Sequence, residues 1–327
     1  MRRIIHPLPL VVAAALALAM ALSLLAPSAH AAGNPVSSTN GFYVDPNSAP
    51  AAWVAANPTD GRTAAINSSM AQKPMARWFG SWSGAIGTAT GAYVGAAANA
   101  GKLPVLVAYN IPDRDACGGQ SGGGAGSDAA YNTWIAAFAS GIGTRPAVVI
   151  LEPDSLGDYS CLTASQIADH QALLINAIAQ FNAKAPNTWV YLDAGNPGWI
   201  SASTMAAHLA AAGLSGAHGF ALNVSNYYTT AQNISYAGSV NSALSSGHGY
   251  TKPYAVDTSR NGNGSNGTWC NPATRKLGST SQLGTGGPEM LLWIKTPGNS
   301  DGDCGVGAGS TAGTFLPQVA YNLIYGY

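Results

Sequence analysis

The stretch that decides the fold is 148–158, VVILEPDSLGD. Three β-branched residues and a leucine make a short run suited to a buried strand. The run stops at Glu152, Pro153 and Asp154. Either the two acids merely close a strand, or the strand exists to aim them.

Outward from this stretch the pattern repeats. Short apolar, β-rich runs lie at 104–109 (PVLVAY), 147–152 (AVVILE), 188–193 (TWVYLD), 218–223 (HGFALN), 253–257 (PYAVD) and 290–295 (MLLWIK), with another near 76–80 (ARWFG). Helix-compatible segments lie near 127–141, 163–184, 199–213 and 229–246, and the longest opens with Thr163 and Gln166, a capping box. Strand–helix alternation predicts an α/β fold with a parallel sheet. About seven strand units, with no repeat, heptad or linker to divide the chain, predict one domain over 32–327 built as a (β/α) barrel of seven or eight strands. The runs stop at Tyr109, at Glu152 with Asp154, at Asp193, at Asn223, at Asp257, and at Lys295 shortly before Asp301. In a parallel barrel these are the C-terminal strand ends, where active sites are built. Loops begin at strand ends, so some polar residues fall there by chance. Six such ends in a chain with only 9% charged residues favour a site.

The first residues have a basic start at Arg2 and Arg3, an apolar run over 9–25, and Ala29-His30-Ala31 as a small-x-small cleavage site. This reads as a secretory signal peptide over 1–31 rather than a membrane anchor. An extracellular protein with no membrane attachment after cleavage is expected. Loss of Arg2 and Arg3 turns 14 basic and 14 acidic residues into 12 and 14. No basic patch suits nucleic acid, so a neutral substrate is expected, and the chain reads as a monomer. Cys117, Cys161, Cys270 and Cys304 make an even set, which in an exported chain implies disulfides. Three pairings are possible, and sequence neighbours, 117–161 with 270–304, are the economical one. No cysteine or histidine spacing suits a metal, and no cofactor is expected; the remaining histidines are scattered at 170, 208, 218 and 248.

After the run at 104–109 comes NIPDRDACGGQSGGGAGSD. The glycines lack the Lys-Ser/Thr and the following helix of a phosphate loop, so a mobile loop over the barrel mouth is expected instead. Asp115, Asp154, Asp193 and Asp301 then meet at the mouth. Glycoside cleavage needs such a set. One carboxyl must stay protonated near neutral pH to protonate the leaving oxygen, which burial or neighbouring carboxylates achieve. Another carboxylate activates the nucleophile, directly or through water. Sugar rings need aromatic platforms, and Trp78, Trp199, Trp269 and Trp293 lie at strand ends or in the following loops. Each tryptophan alone would read as core packing; beside the acids they read as subsites.

The segments AYNIPDRDACGGQSGGG (108–124) and VVILEPDSLGD closely resemble the two signatures of glycoside hydrolase family 6, the cellulases that invert configuration. The resemblance extends in order through YLDAGNPGW (191–199), NVSNYYTT (223–230), DTSRNGNG (257–264), WCNPATRKLG (269–278) and LLWIKTPGNSDG (291–302). It implies a distorted form of the barrel. It also implies that Asp154 is the general acid, and that Asp115 raises the acid's pKa and joins a water relay. Tyr109 would lie under the distorted sugar, Asp301 would be the carboxylate proposed as general base, Asp193 would support the site, and Ser225 would lie near the hydrolytic water. Trp78, Trp199, Trp269, Lys295 and Arg275 match substrate-binding or loop-ordering positions, and the cysteines match the pairings 117–161 and 270–304. Three positions depart from the pattern. Ala116 separates Asp115 from Cys117, Asn196 stands where histidine is common, and Asn299 stands where a sugar-binding glutamate is usual.

With the resemblance, Glu152 reads as a buried structural partner and Asp154 as the residue the strand aims. The implied activity is that of an endo-β-1,4-glucanase. Its loops at 117–128 and 270–304 are short and rich in Gly, Ser, Thr and Asn, with little apolar surface for a fixed roof. Set against it are a barrel that only binds glucan, a retaining glycosidase and an exo-acting cellobiohydrolase. The presence of Asp115, Asp154 and Asp301 argues against decay to a binding protein.

Overall fold

The structure is a computed structural model that describes residues 1 and 33–327. The leader expected over 1–31 lies, but for Met1, outside the described residues.

Eight strands form one sheet: β1 (Arg77–Phe79), β2 (Val105–Ala108), β3 (Ala147–Leu151), β4 (Thr188–Asp193), β5 (Gly219–Leu222), β6 (Tyr254–Asp257), β7 (Gln282–Leu283) and β8 (Met290–Leu292). Their order is β1-β2-β3-β4-β5-β6-β8-β7. All neighbours are parallel except the exposed β7, which runs antiparallel to β8. Seven parallel strands thus correspond to the seven apolar runs. β7 has no apolar run to announce it.

Alternation along each strand divides two cores. Val105, Val107, Val148, Ile150, Tyr191 and Leu292 pack together inside the curl of the sheet. Leu106, Ala108, Val149, Leu151, Leu192 and Leu222 face outward and pack on helices. Burial on both faces explains why the runs are continuously apolar rather than alternating.

The helices are α1 (Ala49–Ala56), α2 (Thr63–Ile66), α3 (Ile86–Asn99), α4 (Asp128–Ile142), α5 (Ala164–Lys184), α6 (Ala202–Ala211), α7 (Thr230–His248) and α8 (Pro317–Tyr325). Among the described residues, none is long and apolar enough to cross a membrane. The Thr163–Gln166 box caps α5 as expected, and Thr229 with Gln232 caps α7 in the same way. α3 is not among the helix-compatible segments expected from the sequence, and its Gly87, Gly91 and Gly95 lower helix propensity. Four apart, they lie on one face of the helix. A Cβ at Gly87 would stand 3.2 Å from the Ala137 carbonyl oxygen, so the glycines let α3 lie close against α4.

The barrel is not closed by a ladder. Among the described residues, no strand pairing joins β1 to β8. The Ala76 amide donates to the Trp293 carbonyl at 2.8 Å, and the Trp78 indole donates to the Ile294 carbonyl at 2.8 Å. The disulfides are Cys117–Cys161 and Cys270–Cys304.

Candidate active site

The exits of all seven parallel strands converge on a cleft of about 930 Å³. Two exits share an unusual path. Glu152 and Asp154 after β3 have φ of 46° and 72°, and Asn223 and Ser225 after β5 have 67° and 58°. Asp115 in the loop after β2 is also left-handed, at 56°. Asp and Asn tolerate this region better than most residues. Such strain persists where surrounding structure enforces it, and it gathers at functional sites.

Glu152 supplies part of that enforcement. It is fully buried, and its Oε2 accepts from the amides of Asn110 at 2.8 Å and Ile111 at 3.0 Å. Those bonds fix the start of the Asp115 loop. Burial pushes the Glu152 carboxyl up to about 7, against the pull of the two amides. Its place is structural, as the sequence indicates.

Asp154 is half-buried on the cleft floor, and its amide donates to Asp193 Oδ2 at 3.1 Å. Burial, then the neighbouring carboxylates of Asp193, Asp158 and Asp115, hold its carboxyl well above the usual carboxylate range; Lys295 opposes them. Asp193 lies beneath, 1% exposed, and also accepts from the Gly195 amide at 3.1 Å. Burial raises its carboxyl too. Asp115 Oδ2 accepts from the Ser121 amide at 2.6 Å and the Ser121 hydroxyl at 3.1 Å. Ser121 also bonds the Tyr109 hydroxyl at 3.0 Å. Burial, and then the charge of Asp154, keep that phenol well above its usual range.

Asp301 is the opposite case. It is buried, yet Arg260 Nη1 at 2.8 Å and Lys295 Nζ at 3.0 Å pair with it. The Tyr227 hydroxyl and the Asn271 amide add hydrogen bonds at 3.1 Å each. Burial opposes its charge, but the two cations outweigh burial and hold its carboxyl down to about 2. Arg260 also bonds the Ser225 carbonyl. Asp257, at the end of β6, accepts from the amides of Ser225 at 3.1 Å and Lys295 at 2.9 Å. Asp257, a strand end evident in the sequence, therefore belongs to the site, as do Arg260 and Asp158, whose roles are not evident there. Their work depends on partners far along the chain, or, for Asp158, on a turn.

Trp78, Trp199 and Trp269 line the cleft, as do Lys295 and Asn299. Trp269 is 45% exposed, and Trp78 meets Tyr109 edge-on at 5.2 Å between centroids. Trp82, which the sequence does not single out, also lines the cleft and stacks with Arg114 at 5.2 Å. Asn196 does a local job in place of histidine: its Oδ1 accepts from the Gly198 amide at 3.0 Å, in the turn that carries Trp199. One expectation fails, and one divides. Trp293 is 1% exposed, packs among Ile66, Met70 and Leu323, and donates its indole to the Ser279 carbonyl. It is core, because its alternate position on the sheet faces α2 and α8. Arg275, expected to bind substrate or to order a loop, is absent from the cleft lining and bonds the carbonyls of Gly264 and Ala273, within the loop.

Among the described residues, no group of three or more His, Cys, Asp and Glu is placed to hold a metal ion. A raised carboxyl with further carboxylates around it, in a cleft lined by tryptophans, has the makings of a glycosidase site. The family profile for Glycosyl hydrolases family 6 matches residues 37–325, and the chain belongs to this family. It is 67% identical to Endoglucanase 1 of Streptomyces halstedii over 92% of this chain and 94% of that one. It is 46% identical to Endoglucanase A of Thermobispora bispora over 86% of this chain and 61% of that one. Among solved structures, the endoglucanase Cel6 of Mycobacterium tuberculosis, in complex with a methyl-cellobiosyl thio-cellobioside, superposes with a TM-score of 0.81 at 38% identity. That superposition covers 90% of this chain and 99% of the other.

Proposed function

We propose that the protein is a secreted, monomeric endo-β-1,4-glucanase that hydrolyses internal bonds of cellulose-type glucans with inversion of configuration. The observation that carries this reading is Asp154, a carboxyl raised well above the usual carboxylate range by burial and by neighbouring carboxylates in a tryptophan-walled cleft. Asp154 gives its proton to the glycosidic oxygen as the bond to the anomeric carbon breaks. Water attacks that carbon from the opposite face and loses its proton. A carboxylate held at about 2 by two cations is a weak base. Asp301 therefore serves as a fixed charge that orders Arg260, Lys295 and Tyr227. Asp115 takes the water's proton through a relay. Trp78, Trp199 and Trp269 carry the sugar rings, and Asn299 offers its unpartnered Oδ1 to a hydroxyl.

The Gly-rich Asp115 loop is mostly exposed and touches the second disulfide loop where Gln120 Oε1 accepts from the Asp303 amide at 3.0 Å. Exposed loops of this kind, and the endoglucanase relatives, support attack within chains. Two disulfides support export to an oxidising compartment, with residues 1–31 removed. Proton NMR of the first product from a cello-oligosaccharide should show the α-anomer before mutarotation. Viscosity of carboxymethyl cellulose should fall before many reducing ends appear. Early β-anomer removes the inverting mechanism, and cellobiose release at constant viscosity removes the endo mode.

A further inference from the structure

Four residues after Asp154, within the same stretch, stands Asp158. The Asp158 amide donates to the Asp154 carbonyl at 3.1 Å, and the Gly157 amide donates to it at 2.9 Å. Residues four apart across such a turn are neighbours on one side. Both side chains line the cleft, and Asp158 is only 3% exposed. One of its carboxylate oxygens, Oδ2, is buried without a hydrogen-bond partner. The other face of Asp158 meets the loop after β2, where the amides of Cys117 and the inserted Ala116 approach it. The Cys117–Cys161 disulfide ties that loop to the 3₁₀ turn that Asp158 opens. Asp115, meanwhile, gives one carboxylate oxygen to Ser121.

We propose that Asp158 is a positioning residue for the proton donor: a second carboxylate, one turn beyond Asp154, that holds the proton on Asp154 and anchors the loop lengthened by Ala116. Asp115 is thereby left to the attacking water. The inference rests on the reading of Asp154 as the acid. The charged and titratable groups around the pair are Asp115 and Tyr109 from the β2 exit, Asp193 from β4 and Lys295 from the β8 exit. Tyr159 follows on the same turn, and from α6 His208 packs on its ring at 4.5 Å and bonds the Leu156 carbonyl. Burial, with Asp115 adding, brings the Asp158 carboxyl up to about 6. Its repulsion of a charge on Asp154 therefore grows as pH rises through that value, where an acid catalyst would otherwise lose its proton.

The test is the pH–rate profile of Asp158→Asn on a soluble glucan. The basic limb should move to lower pH by on the order of one unit, with the acid-side rate little changed. A folded, active variant with an unmoved basic limb overturns the proposal. Should D158N fail to fold, Asp158→Ser, which keeps an oxygen toward the Ala116 and Cys117 amides without the charge, decides in its place. Its basic limb should move to lower pH in the same way, and an unmoved limb overturns the proposal. D154N assayed on a poor leaving group separates the two readings. If it keeps full rate, the acid assignment fails; if it loses rate while the D158N profile stays put, only the present inference fails.

Discussion

Asp154 holds its place between Pro153 and Ser155 with φ of 72°, its amide donating a hydrogen bond to the Asp193 carboxylate. General acid catalysis is worth ~10²–10⁴ in rate. Asp154→Asn should therefore slow hydrolysis of cello-oligosaccharides by about 10² or more. An aryl glycoside whose leaving group needs no proton should be much less affected. Equal losses on both substrates would rule out the acid role. At this scale, residues at strand ends were legible: Tyr109, Asp154, Asp193 and Asp257 each follow or end an apolar run. Arg260 was not, because its meaning lies in Asp301, 41 positions away. Asp158 lay in plain view and still went unread, since its neighbourhood with Asp154 exists only once the chain turns there. Trp293 was misread for a related reason: composition cannot tell which face of a sheet an aromatic residue takes.

The short turn after β3 does mechanical work for the cleft wall. Gly157 has φ of −75°, a conformation that alanine adopts freely. A Cβ there would nevertheless stand 2.7 Å from the Trp199 ring. Gly157→Ala should displace the indole and raise KM for cello-oligosaccharides several-fold, with kcat and melting temperature close to wild type. An unchanged KM would mean that Trp199 carries no sugar. Elements with both a period and a cap were readable, as α5 was from Thr163 and Gln166. α3 was hidden because its glycines serve packing against α4, a reason that local propensity does not contain.

For the molecule as a whole, the buried carboxyls set opposite demands on pH. Glu152, at about 7, and Asp158, at about 6, are raised by folding. Each favours the folded state fully below its unfolded value, near ~4, and that advantage is lost as pH rises through the folded value. Asp301, at about 2, acts in reverse. Its contribution is present above ~4 and is lost as pH falls toward 2. The melting temperature should peak near pH ~4–5 and decline toward pH 8. A flat or rising curve between pH 5 and pH 8 in calorimetry would contradict these assignments. The count of parallel strands and the face that bears the site were legible from the alternation of runs. Whether the sheet would join end to end was not, because that depends on how Ala76 and Trp293 meet across 217 positions.

That meeting has a consequence for how the enzyme breathes. Among the described residues, the gap between β1 and β8 is spanned by the Ala76–Trp293 main-chain bond, by the Ser281 hydroxyl, which donates to the Pro74 carbonyl and accepts from the Trp293 amide, and by the indole of Trp78, whose ring also lines the cleft. A glucan resting on Trp78 while engaging Lys295 or Asn299 grips both margins of the gap at once. Substrate would then act as a clasp, adding its own grip to the packing of Trp293 against Met70 and Met75. Exchange of the Ala76 amide with deuterium should slow when a thio-linked cello-oligosaccharide is bound, and unaltered exchange would show that the two margins keep their spacing without it.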